Sequence, residues 1–370
     1  MLLGVEKIFR IAERMTSLLN RAVQILERIA PPRLAGKWDN VGLLIDHAVP
    51  MEVSVVGKPF KVLLTNDLTL HVVHEAIAKK VSLIVTYHPT PFSALKKFPF
   101  SNVSSPMASK VVLLCARHDI AVYSPHTSWD NVKPGLNDWL IEGICNEALR
   151  RINSSVPCIG VNPLVPSENQ EDRKLGYGEG RMWEATDFST MGLPMISLLN
   201  VVESVKSFLG LPKLQVALPS GGTNLIEPSL RNIHSRISGS DSVLQMCSRI
   251  SILSVSVCAG AGASLLPRVI DSSRAISQVQ VPKWKAEHAL DNEDANELCH
   301  VYITGEMSHH DILSATQAGV AVILTGHTNC ERGYLTPMAR ILQSRFNDDS
   351  PTLSAEVIIS AVDNDPVTIL

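Results

Sequence analysis

The sequence predicts an α/β protein of two similar lobes, born of an internal duplication, with a ligand cleft between them. Three observations predict it. A stretch occurs twice: VLLTNDLTLHVVHEAIAKKVSLIVTYH at 62–88 and VYITGEMSHHDILSATQAGVAVILTGH at 301–327 align without a gap at an offset of 239, with eight of 27 pairs identical. Chance pairing gives about two. Each copy reads as an apolar run, a helical segment and a second apolar run ending in Thr-x-His, so His88 and His327 fall at strand ends, where α/β folds place ligand chemistry. Finally, residues 41–150 alternate strand and helix as expected of a sheet covered by helices.

The elements follow in order. Residues 16–30 carry Leu18, Leu19, Val23, Ile25, Leu26 and Ile29 at helical spacing, and Pro31-Pro32 ends the run. Trp38-Asp39-Asn40 reads as a turn into a strand at 41–45. The first repeat copy supplies a strand, a helix near 70–80 and a strand at 81–86. A helix at 105–118, a strand at 120–123, the loop SPHTSWDN and a helix in GLNDWLIEGI complete a first lobe over 16–150, behind an extension at 1–15. Residues 151–175 read as a linker. The second lobe, 176–370, holds a helix within 194–210, strands at LQVALP and 252–258, a helix near 265–276, the second repeat copy and a last strand in AEVIISAVD. Polar loop insertions are expected near 219–249 and 277–299.

Composition narrows the function classes. At 370 residues and net charge −3, with no Lys/Arg stripe, the chain lacks the electrostatic footprint of direct nucleic-acid binding. Seven cysteines without CxxC spacing read as free thiols in a reducing compartment. No apolar run is long enough to span a bilayer. The stretch from Met1 to Ala30 is amphipathic and contains arginine, but Glu6 and Glu13 count against a mitochondrial transit peptide.

The chemistry-bearing residues cluster at predicted strand ends. His327 and Glu331 are four apart, a spacing at which imidazole and carboxylate can grip one metal ion at about 2.0–2.2 Å. His126 and Asp130 repeat that spacing after another strand, and His88 closes the first repeat copy. A lone HxxxE is a weak signal; its place beside a duplicated Thr-x-His strengthens it. Plainer readings stay open. His88 can cap a strand, His126 can orient a ligand rather than be one, and Glu331-Arg332 can be a charge pair at a helix start. Glu306 and His310 are also four apart and fall near the same strand end, while Cys330 takes no role. Of two Gly-rich loops, 176–181 and 258–264, the second can hold a phosphate on backbone N–H groups or serve as a close-packing turn.

With these residues in place, the chain from about Met15 onward resembles the Nif-three-like family, also known as the GTP cyclohydrolase I type 2 family, in its eukaryotic branch. The resemblance is carried by WDNVGLLID (38–46), LTNDLT (64–69), LIVTYHPTPF (83–92), YSPHTSWDN (123–131), GEGRMWE (178–184), VCAGAGAS (257–264), TGEMSHHDIL (304–313) and GHTNCERGYL (326–335). It implies a two-lobed α/β fold, a di-metal cleft and ring-like homo-oligomers, often hexamers. It also implies metal ligands at His88, Asp130, His327 and Glu331. The first His of the His-His pair of bacterial members is Tyr87 here. A phenol of pKa about 10 is a poor ligand, so the expectation is one or two divalent ions per chain, zinc, iron or manganese. Two functional readings follow. One is a metal-dependent, cyclohydrolase-like hydrolase of a small molecule, with His126 or Glu306 moving protons. The other is a non-catalytic adaptor that binds a transcriptional co-regulator and keeps a structural metal. The cytoplasm, and with the second reading the nucleus, is the expected location.

Overall fold

In the computed structural model the described residues are 18–46, 60–101, 105–185, 195–219, 243–288, 297–349 and 355–367. The N-terminal extension and most of the polar stretch at 219–249 lie outside them. The chain forms two compact units: residues 1–132 with 332–366, and residues 133–331 with 367–370. The divisions fall at 132/133 and 331/332 rather than at the expected linker.

The first unit is built on a five-stranded sheet. Its strands are β1 (Gly42–Ile45), β2 (Phe60–Thr65), β3 (Leu83–Thr86), β4 (Ala121–Ser124) and, far along the chain, β12 (Ala355–Ile359), in the order β1-β4-β3-β2-β12. All pairings are parallel except β1 with β4. β3 is buried along its whole length and β2 at all but Lys61, which is why both read as unbroken apolar runs rather than as alternating ones. The N-terminal helix α1 (18–29) buries Leu19, Ala22, Ile25 and Leu26. Between β2 and β3, helix α2 (Leu70–Lys79) starts at Thr69, whose side chain accepts from the Val72 N–H, and stops at Lys80 in the left-handed region (φ 55°). Leu63, Val72, Val73, Ala76 and Ile84 form one apolar cluster with Val111 and Cys115 of helix α3 (Met107–Arg117). The helix Leu335–Asp349 buries Met338, Leu342 and Phe346.

The AEVIISAVD strand was expected in the second lobe. As β12 it returns to the first unit and pairs in parallel with β2, Ala355 opposite Phe60 and Ile359 opposite Leu64. Alternation within a strand tells which face is apolar, not which sheet edge receives it.

The second unit contains a short antiparallel pair, β5 (Val165–Pro166) and β6 (Gly178–Glu179). Its five-stranded sheet, ordered β7-β9-β10-β11-β8, comprises β7 (Arg181–Glu184), β8 (Gln215–Ala217), β9 (Ile250–Ala261), β10 (Glu297–Glu306) and β11 (Val320–Leu324). β9, β10 and β11 run parallel, flanked by antiparallel edges. The GLNDWLIEGI helix, expected in the first lobe, is Leu136–Arg151 of this unit, where Gly143 lets Phe208 lie close and Trp139 meets Phe208 at 4.9 Å. The fully buried Arg181 guanidinium grips Asp138 with two bonds of 2.7 and 2.9 Å and donates to the carbonyls of Gly178 and Gly180. The GEGRMWE motif is thereby a structural anchor. Residues 277–288, expected in a loop, continue the helix Leu266–His288. Val281, inside the polar stretch, packs with Ile276 against Leu253 and Leu298 and holds it helical.

Both repeat copies fold as strand–helix–strand with parallel strands. Their helices are capped at equivalent positions, Thr69 and Ser308, each accepting from the N–H three positions on. The strand register is shifted by one position between the copies. Val62 pairs with Leu83, whereas its counterpart Val301 pairs with Ala321 and not with Val322, the counterpart of Leu83. Among the described residues no helix is long and apolar enough to cross a membrane.

Candidate metal centre

In the first unit, His88 follows directly from β3 through Tyr87. The Tyr87 N–H donates to Thr65 O and the His88 N–H to Asn66 O, prolonging the β2–β3 ladder and setting both side chains at the strand ends. His88 Nδ1 lies 2.9 Å from Asp67 Oδ1, while Asn66 Nδ2 stands off at 3.5 Å. Burial pushes the Asp67 carboxyl up, but the hydrogen bond and charge of His88, with the charge of Arg332, outweigh it and hold it below the usual carboxylate range. An ionised Asp67 only accepts, so Nδ1 of His88 is the donor in this bond and Nε2 is turned away from it. Asp67 also receives Arg332 Nη2 at 3.2 Å, and the other Arg332 terminus pairs with Asp363. Asp363 in turn accepts from the Asn66 N–H at 2.7 Å.

Tyr87 and Asp130 meet. The buried phenol donates to Asp130 Oδ1 at 2.8 Å and so occupies one lone pair of the expected ligand. His126 sits at the start of the short helix Thr127–Asn131 with φ 34°, a strained conformation for a non-glycine residue. Its Nδ1 is 2.7 Å from Asp39 Oδ1. Burial raises the Asp39 carboxyl, and bonds from His126 and Thr127 more than offset this. The imidazole therefore stands edge-on to His88 and Tyr87, ring centres 5.4 Å away in each case, with its own carboxylate behind it.

In the second unit, His327 follows β11 through Thr325 and Gly326. Its Nδ1 lies 3.1 Å from Glu306 Oε1 and its Nε2 3.5 Å from Glu331 Oε1. Glu331 is buried and Glu306 exposed. The expected helix after His327 is instead two 3₁₀ turns, Thr328–Cys330 and Arg332–Tyr334, and these still bring His327 and Glu331 face to face. Gly260 makes room for them. A Cβ there would stand 2.7 Å from Glu331 Oε1 and 3.3 Å from His327 Nε2, and its φ of +65° also favours glycine. The 258–264 loop thus serves close packing, with Thr304 Oγ1 donating to Gly260 O and Tyr302 OH to Gly262 O. Cys330 is fully buried, its thiol pushed up to about 12 by burial and the Glu331 charge, which suits a packing residue and not a nucleophile. His71, His74, His309 and His310 lie on their helices, with His71, His74, His309 and His310 all turned to solvent.

Sequence reasoning did not identify Asp67 and Asp39 as imidazole partners. One signal was present: Asp67 stands opposite Glu306 in the repeat alignment, and the two carboxylates hold Nδ1 of the two paired histidines at 2.9 and 3.1 Å. Glu306, expected to move protons, is in contact with His327 in the way Asp67 is with His88.

The sequence model of the Duf34/NIF3 family (NGG1p interacting factor 3) matches residues 17–276 and 286–366. The chain is 33% identical to "Protein NIF3 homolog" of Schizosaccharomyces pombe over 95% of its own length and 98% of the relative's. It is 29% identical to "NGG1-interacting factor 3" of Saccharomyces cerevisiae over 95% and 96%. The crystal structure of a Staphylococcus aureus hypothetical protein shares the fold, with a TM-score of 0.62 at 19% identity, covering 94% of this chain and 97% of that one.

Proposed function

The chain belongs to the Duf34/NIF3 family, and from that premise we propose that it is a divalent-metal-binding protein that hydrolyses a small molecule. The proposed donors are His88 and Asp130 in the first unit and His327 and Glu331 in the second. The observation that carries the reading is the repeated imidazole–carboxylate pair, His88 with Asp67 and His327 with Glu306. A carboxylate on Nδ1 fixes the tautomer and aims Nε2, the usual arrangement behind a metal-binding histidine. Two such nitrogens with carboxylate oxygens are a borderline donor set suited to zinc, iron or manganese. The donors fit an ion in a second respect: Gly260 lets Glu331 Oε1 and His327 Nε2 come together over its backbone, where a Cβ would lie 2.7 and 3.3 Å from them.

When bound, such an ion polarises a substrate oxygen and brings the pKa of water to roughly 7. The protein's own residues supply the rest. His126, its Nδ1 on Asp39, presents Nε2 as the group that accepts and returns a proton. Asp67 and Glu306, each on Nδ1, hold the paired imidazoles in orientation. Tyr87 takes one lone pair of Asp130, which favours a single ion over two. Ring opening of a heterocycle, as in a cyclohydrolase, is the reaction class proposed, in a homo-oligomer of the cytoplasm. Metal analysis of the purified chain beside a His327→Ala/Glu331→Gln double variant tests this. At least one divalent ion per chain is expected, lost in the variant together with hydrolysis across a panel of nucleotides. A folded wild-type chain that takes up no divalent ion sinks the reading.

A second reading comes from the name of the yeast relative, which describes it as an NGG1-interacting factor. In it the chain binds a transcriptional co-regulator, in the nucleus as well, and the metal is structural. Co-regulator binding that persists in the double variant, with no turnover by the wild type, would favour it.

A further inference from the structure

Aromatic side chains bury more apolar area than any others, and a fold that leaves them outside forgoes that stabilisation. In the first unit Trp38 is 67% exposed and Phe92 52%, yet the backbone beneath each is firmly tied. The Gly36 N–H donates to Thr127 Oγ1 at 3.0 Å, and the Asp39 N–H closes a turn onto Gly36 O at 2.9 Å. Asp39 points inward and accepts from His126, from the Thr127 N–H and hydroxyl, and from the Asn40 N–H. Asn40 Nδ2 donates to Pro91 O at 2.7 Å, which staples the Trp38 loop to the Phe92 loop. The Trp38-Asp39-Asn40 turn therefore sends Asp39 inward, spends Asn40 on the neighbouring loop and leaves Trp38 in the open. The indole is braced against Gly36, where a Cβ would lie 2.7 Å from its Nε1.

The exposed rings do not stack on each other. Their centroids are 6.1 Å apart at 46°, and each meets His126 nearly perpendicularly, at 6.0 Å and 82° for Trp38 and 6.3 Å and 84° for Phe92. Two tilted aromatic faces with an imidazole edge between them leave ring surface for a third flat ring, in the offset or edge-on arrangements that aromatic pairs prefer.

We propose that Trp38 and Phe92 form a ring-binding subsite that takes a flat heteroaromatic ring of the ligand and sets it beside His126. The proposal rests on the small-molecule reading of the site. The ligand class follows from the walls: two π faces favour an unsaturated ring, and an imidazole edge favours one with heteroatoms in it. Aliphatic rings and apolar protein side chains gain less from such faces.

The test uses the full chain with 5-fluorotryptophan at its five tryptophans, followed by ¹⁹F NMR, with the Trp38 resonance assigned through Trp38→Phe. The probe is quinazoline, and 2-decalol is the saturated control of similar size. Both are titrated into chelator-treated and zinc-supplemented protein whose metal content is measured separately. Quinazoline is expected to shift the Trp38 resonance saturably and leave that of buried Trp129 in place. By a non-fluorine readout such as equilibrium dialysis, its affinity is expected to fall about tenfold in Trp38→Ala and in Phe92→Ala and to stay within about threefold in Trp38→Tyr. The subsite is overturned if Trp38 does not respond, if 2-decalol binds as well, if Trp38→Ala binds like the wild type, or if the resonance follows protein concentration instead of probe. Saturable ring binding in protein that takes up no divalent ion overturns the metal reading and leaves the subsite standing. Metal uptake with a silent Trp38 overturns the subsite alone.

Discussion

Acidification tests the interior of the second unit through His300. Its Nδ1 is 2.8 Å from Ser254 Oγ on β9 and its Nε2 2.8 Å from Ser277 Oγ on the helix Leu266–His288, all three residues buried. Desolvation lowers its pKa from 6.5 to about 4. The unfolded chain therefore binds a proton at this residue below pH 6.5 that the folded chain refuses until about pH 4. The stability tied to the neutral imidazole is complete above pH 6.5 and is lost as the pH falls towards 4. At pH 4.5 the linkage relation gives a loss of about 2–3 kcal/mol relative to pH 7.5. Carboxylates titrate over part of the same range, so the assay is the difference between wild type and His300→Gln, which keeps polar groups for both serines and removes the titration. Urea unfolding of both proteins across pH 7.5 to 4.5 should show the wild type losing about 2–3 kcal/mol more than the variant. A difference that stays flat within about 0.5 kcal/mol would refute the placement of a neutral His300 between the serines.

Three further outcomes are expected. Asp67→Asn removes the carboxylate behind His88 and should weaken divalent-metal binding about 10–100-fold, read by chelator competition, with little change in thermal unfolding. Tyr87→His supplies the His-His pair that the family resemblance implies for bacterial members and frees a lone pair of Asp130. Elemental analysis should then show more metal per chain than in the wild type, and an unchanged ratio would deny Tyr87 its part in setting metal number. Arg181→Ala strands Asp138 in the interior and should cost about 3–5 kcal/mol in urea unfolding, most of it recovered in Arg181→Met/Asp138→Leu.

Much of the fold was legible because buried parallel strands announce themselves as apolar runs. β2, β3, β10 and β11 fell where the duplicated stretch placed them, and Thr69 and Ser308 cap equivalent helices. What stayed hidden was long-range. Nothing in the composition of 355–359 says that it pairs with β2, a strand that precedes the whole second unit, and nothing in GLNDWLIEGI says which core its apolar face will meet. The site followed the same division. His88 and His327 stood out at strand ends, and the i,i+4 spacing of His327 and Glu331 survived the exchange of an expected helix for 3₁₀ turns. Asp39 was unreadable as the partner of His126 because 87 residues separate them.

The return of β12 to the first unit bears on biosynthesis. Residues 133–331 are one uninterrupted segment inserted into the first unit, whose own chain is split around them. On the ribosome the inserted segment is complete before its host, and the outer edge of β2 stays unpaired until Ala355 and the positions after it emerge. A premature stop just before β12 would spare nearly the whole chain. It would still uncover that apolar edge and remove Asp363, leaving a nascent product open to edge-to-edge aggregation while its second unit is all but whole.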